Sequence, residues 1–259
     1  MTGFFESLFF GFIQGATEFL PVSSSAHLVF SQKLFGWRTD DILFNVLLHL
    51  ATLGAVLIFM RKEIFRFLAD RRILANLVTS TLATAAVVLP LKGFFEGFFL
   101  DEIHSGGFLL VTGLLLFLAD RRPAGSRPAG PSRKIDEFKI WEAAIVGIVQ
   151  GIAVLPGISR SGATICTGIF LGWGRTDAAL YSFILSVPSI LGAALLKMRE
   201  TQGLSNAFNF SMIAGMAVAL ITGLLSLKLL ISNLSRGRLR YFACYCWVVG
   251  MAVVFLALK

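Results

Sequence analysis

The stretch TEFLPVSSSAHLVF, residues 17–30, places an acid, a proline, three serines and a histidine between strongly apolar flanks. Such polar and helix-breaking residues are common in the loops of soluble proteins. This chain, however, is 56% hydrophobic and only 15% charged, with 25 phenylalanines and a mean hydropathy of +0.79. That composition indicates an integral membrane protein. The polar stretch therefore lies inside an apolar, membrane-embedded region.

Six apolar segments are long enough, or nearly so, to cross about 30 Å of hydrocarbon. Two further apolar stretches, 4–34 and 141–172, are interrupted by Pro, Gly and Ser, and neither part of either stretch is long enough to cross. Non-helical backbone at membrane depth must be satisfied by protein or by a water-filled cavity. We therefore predict an all-α polytopic membrane protein with two re-entrant helical hairpins and six transmembrane helices, at 42–60, 73–91, 106–119, 178–196, 211–230 and 241–258.

The basic residues indicate the orientation of the chain. Most Lys and Arg residues lie in the loops 61–72, 120–139 and 231–240, and short loops rich in Lys and Arg stay on the cytoplasmic side. Both termini are then outside, the first hairpin enters from outside and the second from inside. The net charge of +8 is explained by topology, so nucleic acid is not an expected partner.

The two interrupted stretches resemble each other. GFIQGATEFLPVSSSA, residues 11–26, aligns with GIVQGIAVLPGISRSG, residues 147–162, and LGAVLIFMR at 53–61 resembles LGAALLKMR at 191–199. Each half is a hairpin followed by three spans, and the halves have opposite predicted orientations. We therefore expect one membrane domain, 1–259, built as an inverted-topology repeat with its site where the broken elements meet. Its halves are 1–121 and 140–259, joined by a basic linker at 122–139.

The polar residues of the two breaks suit phosphoryl chemistry. Glu18 could bind a divalent cation or act as a general base, His27 could transfer a proton, and a serine could be the nucleophile. Arg160 could bind phosphate and stabilise charge that develops on its oxygens. From the residues alone, the candidates are Gln14, Glu18, Ser23, Ser24, Ser25 and His27 in the first break and Gln150, Ser159, Arg160, Ser161 and Thr164 in the second.

Each of these features has a simpler explanation as well. Glu18 and Arg160 could form a structural ion pair that staples the two hairpins, and the serines could bond helix carbonyls. His49, inside an apolar span, fits a packing hydrogen bond and a site-lining role equally well. At the level of function, inverted repeats with broken helices are also used by transporters. The alternative to an enzyme is thus a transporter or flippase for a phosphorylated lipid; the hydrolytic groups favour the enzyme.

The motifs QGATEFLPVSSSAH and PGISRSGAT, separated by a basic loop, closely resemble the two signature motifs of the undecaprenyl-pyrophosphate phosphatase family, also called bacitracin-resistance proteins. LYSFILSVPSILGA, after the second motif, extends the resemblance. It implies an enzyme of the bacterial inner membrane that hydrolyses undecaprenyl diphosphate to undecaprenyl phosphate and inorganic phosphate. This reaction recycles the lipid carrier for peptidoglycan synthesis and confers bacitracin resistance.

The resemblance also assigns residues. The first motif has Glu or Gln, three residues and then Glu, and these positions fall on Gln14 and Glu18. Its serine and histidine fall on Ser24 and His27, and the serine, arginine and threonine of the second motif fall on Ser159, Arg160 and Thr164. The predicted catalytic set is Glu18, Ser24, His27 and Arg160; the predicted substrate-binding set is Gln14, Ser23, Ser25, Gln150, Ser159, Ser161 and Thr164.

The resemblance further implies a divalent cation, Mg²⁺ or Ca²⁺, with Glu18 as a ligand, and a site that opens toward the periplasm. The expected partners are a polyprenyl diphosphate substrate and membrane lipids, and a homodimer is left open. Because Gln14 is an amide, it cannot act as a base, so Glu18 carries the proton or metal role largely alone. Whether Ser24 attacks phosphorus or orients an attacking water stays open.

Overall fold

The computed structural model of the chain describes residues 3–36, 42–98, 101–122, 133–200 and 209–258. Residues 123–132 of the predicted linker lie outside these ranges. The described chain is almost entirely helical, which confirms the all-α prediction. Its helices are α1 (Phe4–Glu18), α2 (Ser24–Phe35), α3 (Ile42–Phe59), α4 (Arg61–Ala69), α5 (Arg71–Val88), α6 (Lys92–Glu96), α7 (Glu102–Asp120), α8 (Ile140–Ile152), α9 (Arg160–Phe170), α10 (Arg175–Glu200), α11 (Phe210–Ser235) and α12 (Leu239–Ala257), with a 3-10 turn at Ile135–Glu137.

The first interruption falls where the sequence predicts it. Helix α1 ends at Glu18 and α2 begins at Ser24, with Pro21 in the connection. Ser23 precedes α2 with φ of 65°, a left-handed conformation that is uncommon for a residue other than glycine. The chain therefore turns sharply between two short helices, and the polar residues of the turn stay beside the end of α1.

The second interruption joins α8 to α9. The Ser159 side chain caps α9 by accepting a hydrogen bond from the Gly162 amide at 3.1 Å. In the turn before it, Gly157 has φ of 102°, and a Cβ atom there would lie 2.1 Å from the Ser105 carbonyl oxygen of α7. Only glycine meets both conditions, so this turn can press directly against α7.

The first helix of each half packs on the other half. Helix α1 lies along α11, and α8 lies along α5. Both crossings are close: a Cβ atom on Gly11 would lie 2.2 Å from the Gly215 carbonyl oxygen, and one on Gly147 would lie 2.3 Å from that of Ser80. Helices α7 and α12 also pair with each other, as do α3 and α10. The α1–α11 and α8–α5 pairs occupy corresponding places in the two predicted halves; the inverted-topology repeat stays a prediction.

Several described helices are long and apolar enough to cross a membrane. By length and composition these are α7, α10 from Arg175 to Arg199, α11 and α12. Helices α3 and α4 meet at a bend of 78° and would add a fifth span if they form one broken span together. Helix α5, which covers most of the predicted span 73–91, is not among the helices that pass this test in the described ranges. The count of six spans stays a prediction.

The surface of these helices fits a lipid environment. In the four unbroken candidate spans only 22% to 50% of the residues are buried within the protein, and large apolar side chains such as Phe5, Phe210 and Leu225 are exposed. The buried apolar core instead surrounds the two interruptions, where the Phe19 and Phe183 rings meet edge to face at 5.9 Å. The chain is therefore a multi-pass membrane protein whose polar turns lie against its packed centre.

Candidate active site

Glu18 stands at the centre of the candidate site. It is the last residue of α1 and is buried, with 8% of its surface exposed. Its Oε1 accepts a hydrogen bond from the Arg160 guanidinium. Its Oε2 accepts hydrogen bonds from Ser24 Oγ at 2.7 Å and from Gln14 Nε2 at 3.0 Å. One carboxylate thus joins residues from both interruptions, as the sequence predicts.

Arg160 reaches Glu18 from the second half of the chain. It is the first residue of α9, so its charge adds to the partial positive charge and the free amides of a helix N-terminus. Its side chain retains 18% exposure, which leaves room for exchange of partners. A planar guanidinium suits bidentate contact with phosphate. This end of α9 can therefore bind an anion beside Glu18.

The predicted serines of the two turns hold the turns together. Ser23 Oγ accepts a hydrogen bond from the Gly157 amide at 3.2 Å and lies 3.2 Å from Ser25 Oγ. Ser161 Oγ donates to the Leu20 carbonyl at 3.2 Å and lies 3.2 Å from Ser159 Oγ. These bonds link the first interruption to the second and fix the distance between Glu18 and Arg160.

Thr164 lies one turn further along α9 and supports Arg160 rather than facing Glu18. Its Oγ1 donates to the Arg160 carbonyl at 2.9 Å and lies 2.6 Å from Ser182 Oγ on α10. Thr164 is buried, with 1% of its surface exposed. It therefore anchors the start of α9 to α10.

His27 is not in contact with Glu18 or Ser24 in the described hydrogen-bond network. Its Nδ1 donates to the Ser23 carbonyl at 2.8 Å, since a carbonyl oxygen can only accept. Its Nε2 lies 2.8 Å from the Tyr245 hydroxyl of α12, and the two rings stack at 5.6 Å between centroids. His27 thus lies at the far side of the turn, where it fixes the Ser23 carbonyl.

Gln150 is the counterpart of Gln14 but belongs to a separate polar cluster. Its Nε2 donates to Thr84 Oγ1 at 3.0 Å and to Ser189 Oγ at 2.8 Å. No acid accompanies it, because the sequence after Gln150 reads GIAVLP where the first half reads GATEFLP. Both halves therefore have a Gln-Gly pair at this position, but only the first half has an acid after it.

Two residues near the site lie outside both sequence motifs. His49, on α3, has its Nε2 3.8 Å from Glu18 Oε2, and Tyr245 contacts His27. A histidine within an otherwise apolar span is a recognisable signal. From the sequence alone, His49 fits a packing role and a site-lining role equally well. The structure places it beside the acid. A tyrosine in an apolar helix carries no such signal, since tyrosine is common at membrane interfaces.

The donor set allows a weakly held divalent cation. In the described ranges no group of three or more His, Cys, Asp and Glu side chains comes together, so the protein does not form a complete cage there. Mg²⁺, however, is commonly held by one or two carboxylates together with substrate phosphates. Glu18 supplies one carboxylate, and the buried Oε1 of Gln14 has no hydrogen-bond partner. These two side chains fit such a shared site.

Comparison with known proteins assigns the chain to a family. The family model described as bacitracin resistance protein BacA matches residues 7–252. The chain belongs to the bacitracin resistance protein BacA family. Within it, the chain is 37% identical over 258 residues to the undecaprenyl-diphosphatase of Carboxydothermus hydrogenoformans, with 97% of each chain covered. It is 39% identical to that of Halothermothrix orenii, with 98% of each covered, and 36% identical to that of Bacteroides fragilis, with 96% of this chain and 97% of the relative covered.

Proposed function

We propose that this protein hydrolyses undecaprenyl diphosphate to undecaprenyl phosphate and inorganic phosphate, and so recycles the lipid carrier of peptidoglycan synthesis and confers bacitracin resistance. The contact between Arg160 and Glu18 carries the proposal. It joins an anion-binding group of the second half to a carboxylate with a neighbouring hydroxyl in the first half. Relatives that share 36% to 39% of their residues with this chain are named undecaprenyl-diphosphatases.

Substrate binding requires Arg160 to change partners. The terminal phosphate of the lipid takes the place of the Glu18 carboxylate at the guanidinium, and the free amides at the start of α9 add hydrogen bonds to its oxygens. As the transition state forms, charge on these oxygens grows, and a preorganised guanidinium stabilises it. Release from Arg160 leaves Glu18 beside Ser24 and free to receive a proton.

The nucleophile is the Ser24 hydroxyl or a water molecule that Ser24 orients. Its oxygen forms a bond to the terminal phosphorus while the bond to the bridging oxygen breaks, and undecaprenyl phosphate leaves with the electron pair. The proton of the nucleophile passes to Glu18 Oε2, which already accepts the Ser24 hydrogen bond at 2.7 Å. On the covalent route, water then hydrolyses the phosphoserine.

The proposal includes a divalent cation, Mg²⁺ or Ca²⁺. Glu18 and Gln14 Oε1 would hold it together with phosphate oxygens, and a bound cation would neutralise part of the charge of the diphosphate. The chain's own residues still perform the remaining tasks: Arg160 binds and orients the phosphate, and Glu18 accepts the proton.

The proposed location is the bacterial inner membrane, with both termini and the active-site opening on the periplasmic side. The segment 61–72 supports this orientation, because its five Arg and Lys residues lie in α4 and at the start of α5, directly after the apolar helix α3. Cysteine labelling of Gln32, near the end of α2, with a membrane-impermeant reagent on intact spheroplasts tests it. Labelling of this cysteine only after lysis would contradict the proposed orientation and place the end of α2 on the cytoplasmic side.

The function is tested by phosphate release from undecaprenyl diphosphate and farnesyl diphosphate with purified protein. Wild type should release phosphate, a chelator should abolish release, and Mg²⁺ or Ca²⁺ should restore it. Glu18→Gln should lower kcat at least 100-fold, as loss of a general base does, and Lys92→Gln, outside the site, serves as the control. Lipid binding without phosphate release would favour the transporter or flippase instead.

A further inference from the structure

Helix α4 leaves the axis of α3 where that helix ends. Helix α3 has 18 residues, which give it a length of about 27 Å, so it nearly crosses the hydrocarbon of a bilayer by itself. The chain then bends by 78° at Met60 and continues as the nine residues of α4. When α3 crosses the membrane, α4 therefore runs close to the plane of the membrane surface.

Two neighbouring faces of α4 are apolar. Ile64 and Phe67 are three residues apart and so share a face, which packs on the protein core; Phe67 is only 2% exposed. Phe65 and Leu68, also three residues apart, form the next face and are 76% and 58% exposed. The first apolar face thus packs within the protein, whereas the second is left uncovered by the described residues.

The remaining face of α4 is basic. Lys62 and Arg66 are exposed and four residues apart, so they lie together. The segment 61–72 contains five Lys and Arg residues but only two acids, and one of these acids, Asp70, caps α5 by accepting from the Arg72 amide at 2.8 Å. The ion pairs formed among the described residues include none of the five basic side chains. Their charge is therefore available to a partner outside the chain.

This order of faces is typical of a helix at a membrane surface, with Phe and Leu toward the acyl chains and Lys and Arg toward the headgroups. Leu57 and Ile58, in the last turn of α3, are also exposed, so the lipid-facing surface of that helix reaches the bend. If α4 continued as a membrane span, it would carry Lys62 and Arg66 into hydrocarbon, which is costly for charged side chains. An anionic phospholipid matches both uncovered faces, because it offers a negative headgroup beside its acyl chains.

We propose that α4 is a membrane-surface helix that binds anionic phospholipids. Phe65 and Leu68 insert about 5–10 Å into the boundary between headgroups and acyl chains, and Lys62 and Arg66 bind the headgroup phosphates. In the proposed orientation this is the cytoplasmic leaflet, whose surface is negatively charged. The lipid site is separate from the candidate active site and does not depend on hydrolysis. It fixes the depth of α3, which packs on α1, the helix that ends at Glu18.

The depth of the two uncovered faces is the first test. The full chain with Cys244→Ser, which removes an exposed cysteine, carries a nitroxide label at Phe65→Cys or at Lys62→Cys in nanodiscs of phosphatidylcholine and phosphatidylglycerol. The label at 65 should collide more often with oxygen, which concentrates among acyl chains, than with a water-soluble nickel complex, and the label at 62 should do the reverse. A label at 65 that meets the nickel complex more often, or that neither reagent reaches, overturns the proposal, because water or protein then covers this face.

The second test measures which lipids gather at α4. A fluorophore at Ala69→Cys, at the end of α4, is quenched in the same Cys244→Ser background by trace phospholipid with a nitroxide on its acyl chain. The quencher has either a phosphatidylglycerol or a phosphatidylcholine headgroup. The phosphatidylglycerol form should associate about 25-fold more strongly, because two basic side chains near the surface contribute about fivefold each. Added salt should reduce this preference, because it screens exposed charges.

Two double variants assign the preference to α4. Lys62→Gln/Arg66→Gln should lower it about 25-fold, so that the two lipids quench almost equally. Arg236→Gln/Arg238→Gln is the matched control, since it removes two exposed charges from another basic loop, and it should keep the wild-type preference. Equal quenching by the two lipids in the wild-type chain, or an equal loss of preference in the two double variants, overturns the proposal. No substrate enters either test, so failure here leaves the proposed hydrolysis untouched.

Discussion

Replacement of Arg160 by methionine separates a catalytic role of the Glu18–Arg160 pair from a purely structural one. Methionine keeps most of the side-chain volume and removes the charge. The Glu18 side chain is 6% exposed and that of Arg160 18%, so Arg160→Met leaves a buried carboxylate without its counter-charge. Breaking a buried pair costs about 3–5 kcal/mol. Glu18 keeps the hydrogen bonds from Ser24 and Gln14, so we expect the lower value, about 3 kcal/mol.

The double variant Glu18→Gln/Arg160→Met provides the comparison. It leaves no unpaired charge, so most of the lost stability should return, with about 2 kcal/mol of coupling between the two positions. Activity should not return: both Arg160→Met and the double variant should lose at least 1000-fold in kcat/KM, which corresponds to about 4 kcal/mol of transition-state stabilisation. Reversible unfolding in mixed micelles and phosphate release from farnesyl diphosphate measure the two quantities.

The result that refutes the catalytic reasoning is recovery of both quantities together. A double variant that is as stable and as active as wild type would make the pair a staple between the hairpins and nothing more. A double variant whose loss of stability equals the sum of the losses in Glu18→Gln and Arg160→Met would instead show that Glu18 and Arg160 are not coupled in the folded protein, and would contradict the contact itself.

Three further predictions concern the surroundings of the pair. Ser24→Ala should abolish formation of an acid-stable phosphoserine in quenched reactions with labelled substrate, and substantial turnover by this variant would exclude the covalent route. Tyr245→Phe should lower kcat about fivefold, because one hydrogen bond to His27, worth about 1 kcal/mol, is lost; equal activity in Tyr245→Phe and Tyr241→Phe would show that the hydroxyl has no such role. Gly11→Ala should destabilise the protein by about 1–3 kcal/mol, measured by thermal unfolding, because its Cβ would lie 2.2 Å from a carbonyl oxygen of α11; an unchanged midpoint would contradict the close crossing.

The parts of the fold that the sequence predicts are those with a local chemical cause. Proline, glycine and serine interrupt the apolar stretches at the turns before Ser24 and before Arg160, and helices end there because these residues disfavour continued helix. The pairing of Glu18 with Arg160 also follows, since two charges in an apolar region need partners. The likeness between the two halves then indicates which pair will meet.

What the sequence does not predict depends on packing between distant helices. His27 belongs to the same motif as Glu18, yet the turn at Ser23 directs it to Tyr245 on α12. His49 belongs to no motif, yet α3 passes beside the end of α1. Neither outcome can be derived from spacing along the chain, because each depends on which helices face one another across the repeat.

The exchange of helices between the halves explains why the chemistry lies at their junction. Helix α1 carries Glu18 but packs on α11 of the second half, while α8 leads into Arg160 but packs on α5 of the first half. Neither half can then place its own hairpin without the other, so the two turns are positioned by the same packing that holds the halves together. Because the two turns meet, one acid from the first turn and one arginine from the second are enough to form a single site. The second half has no acid at this position, as the GIAVLP sequence after Gln150 shows, and the first half has no arginine in its turn, so the single site forms only where the two unequal turns meet.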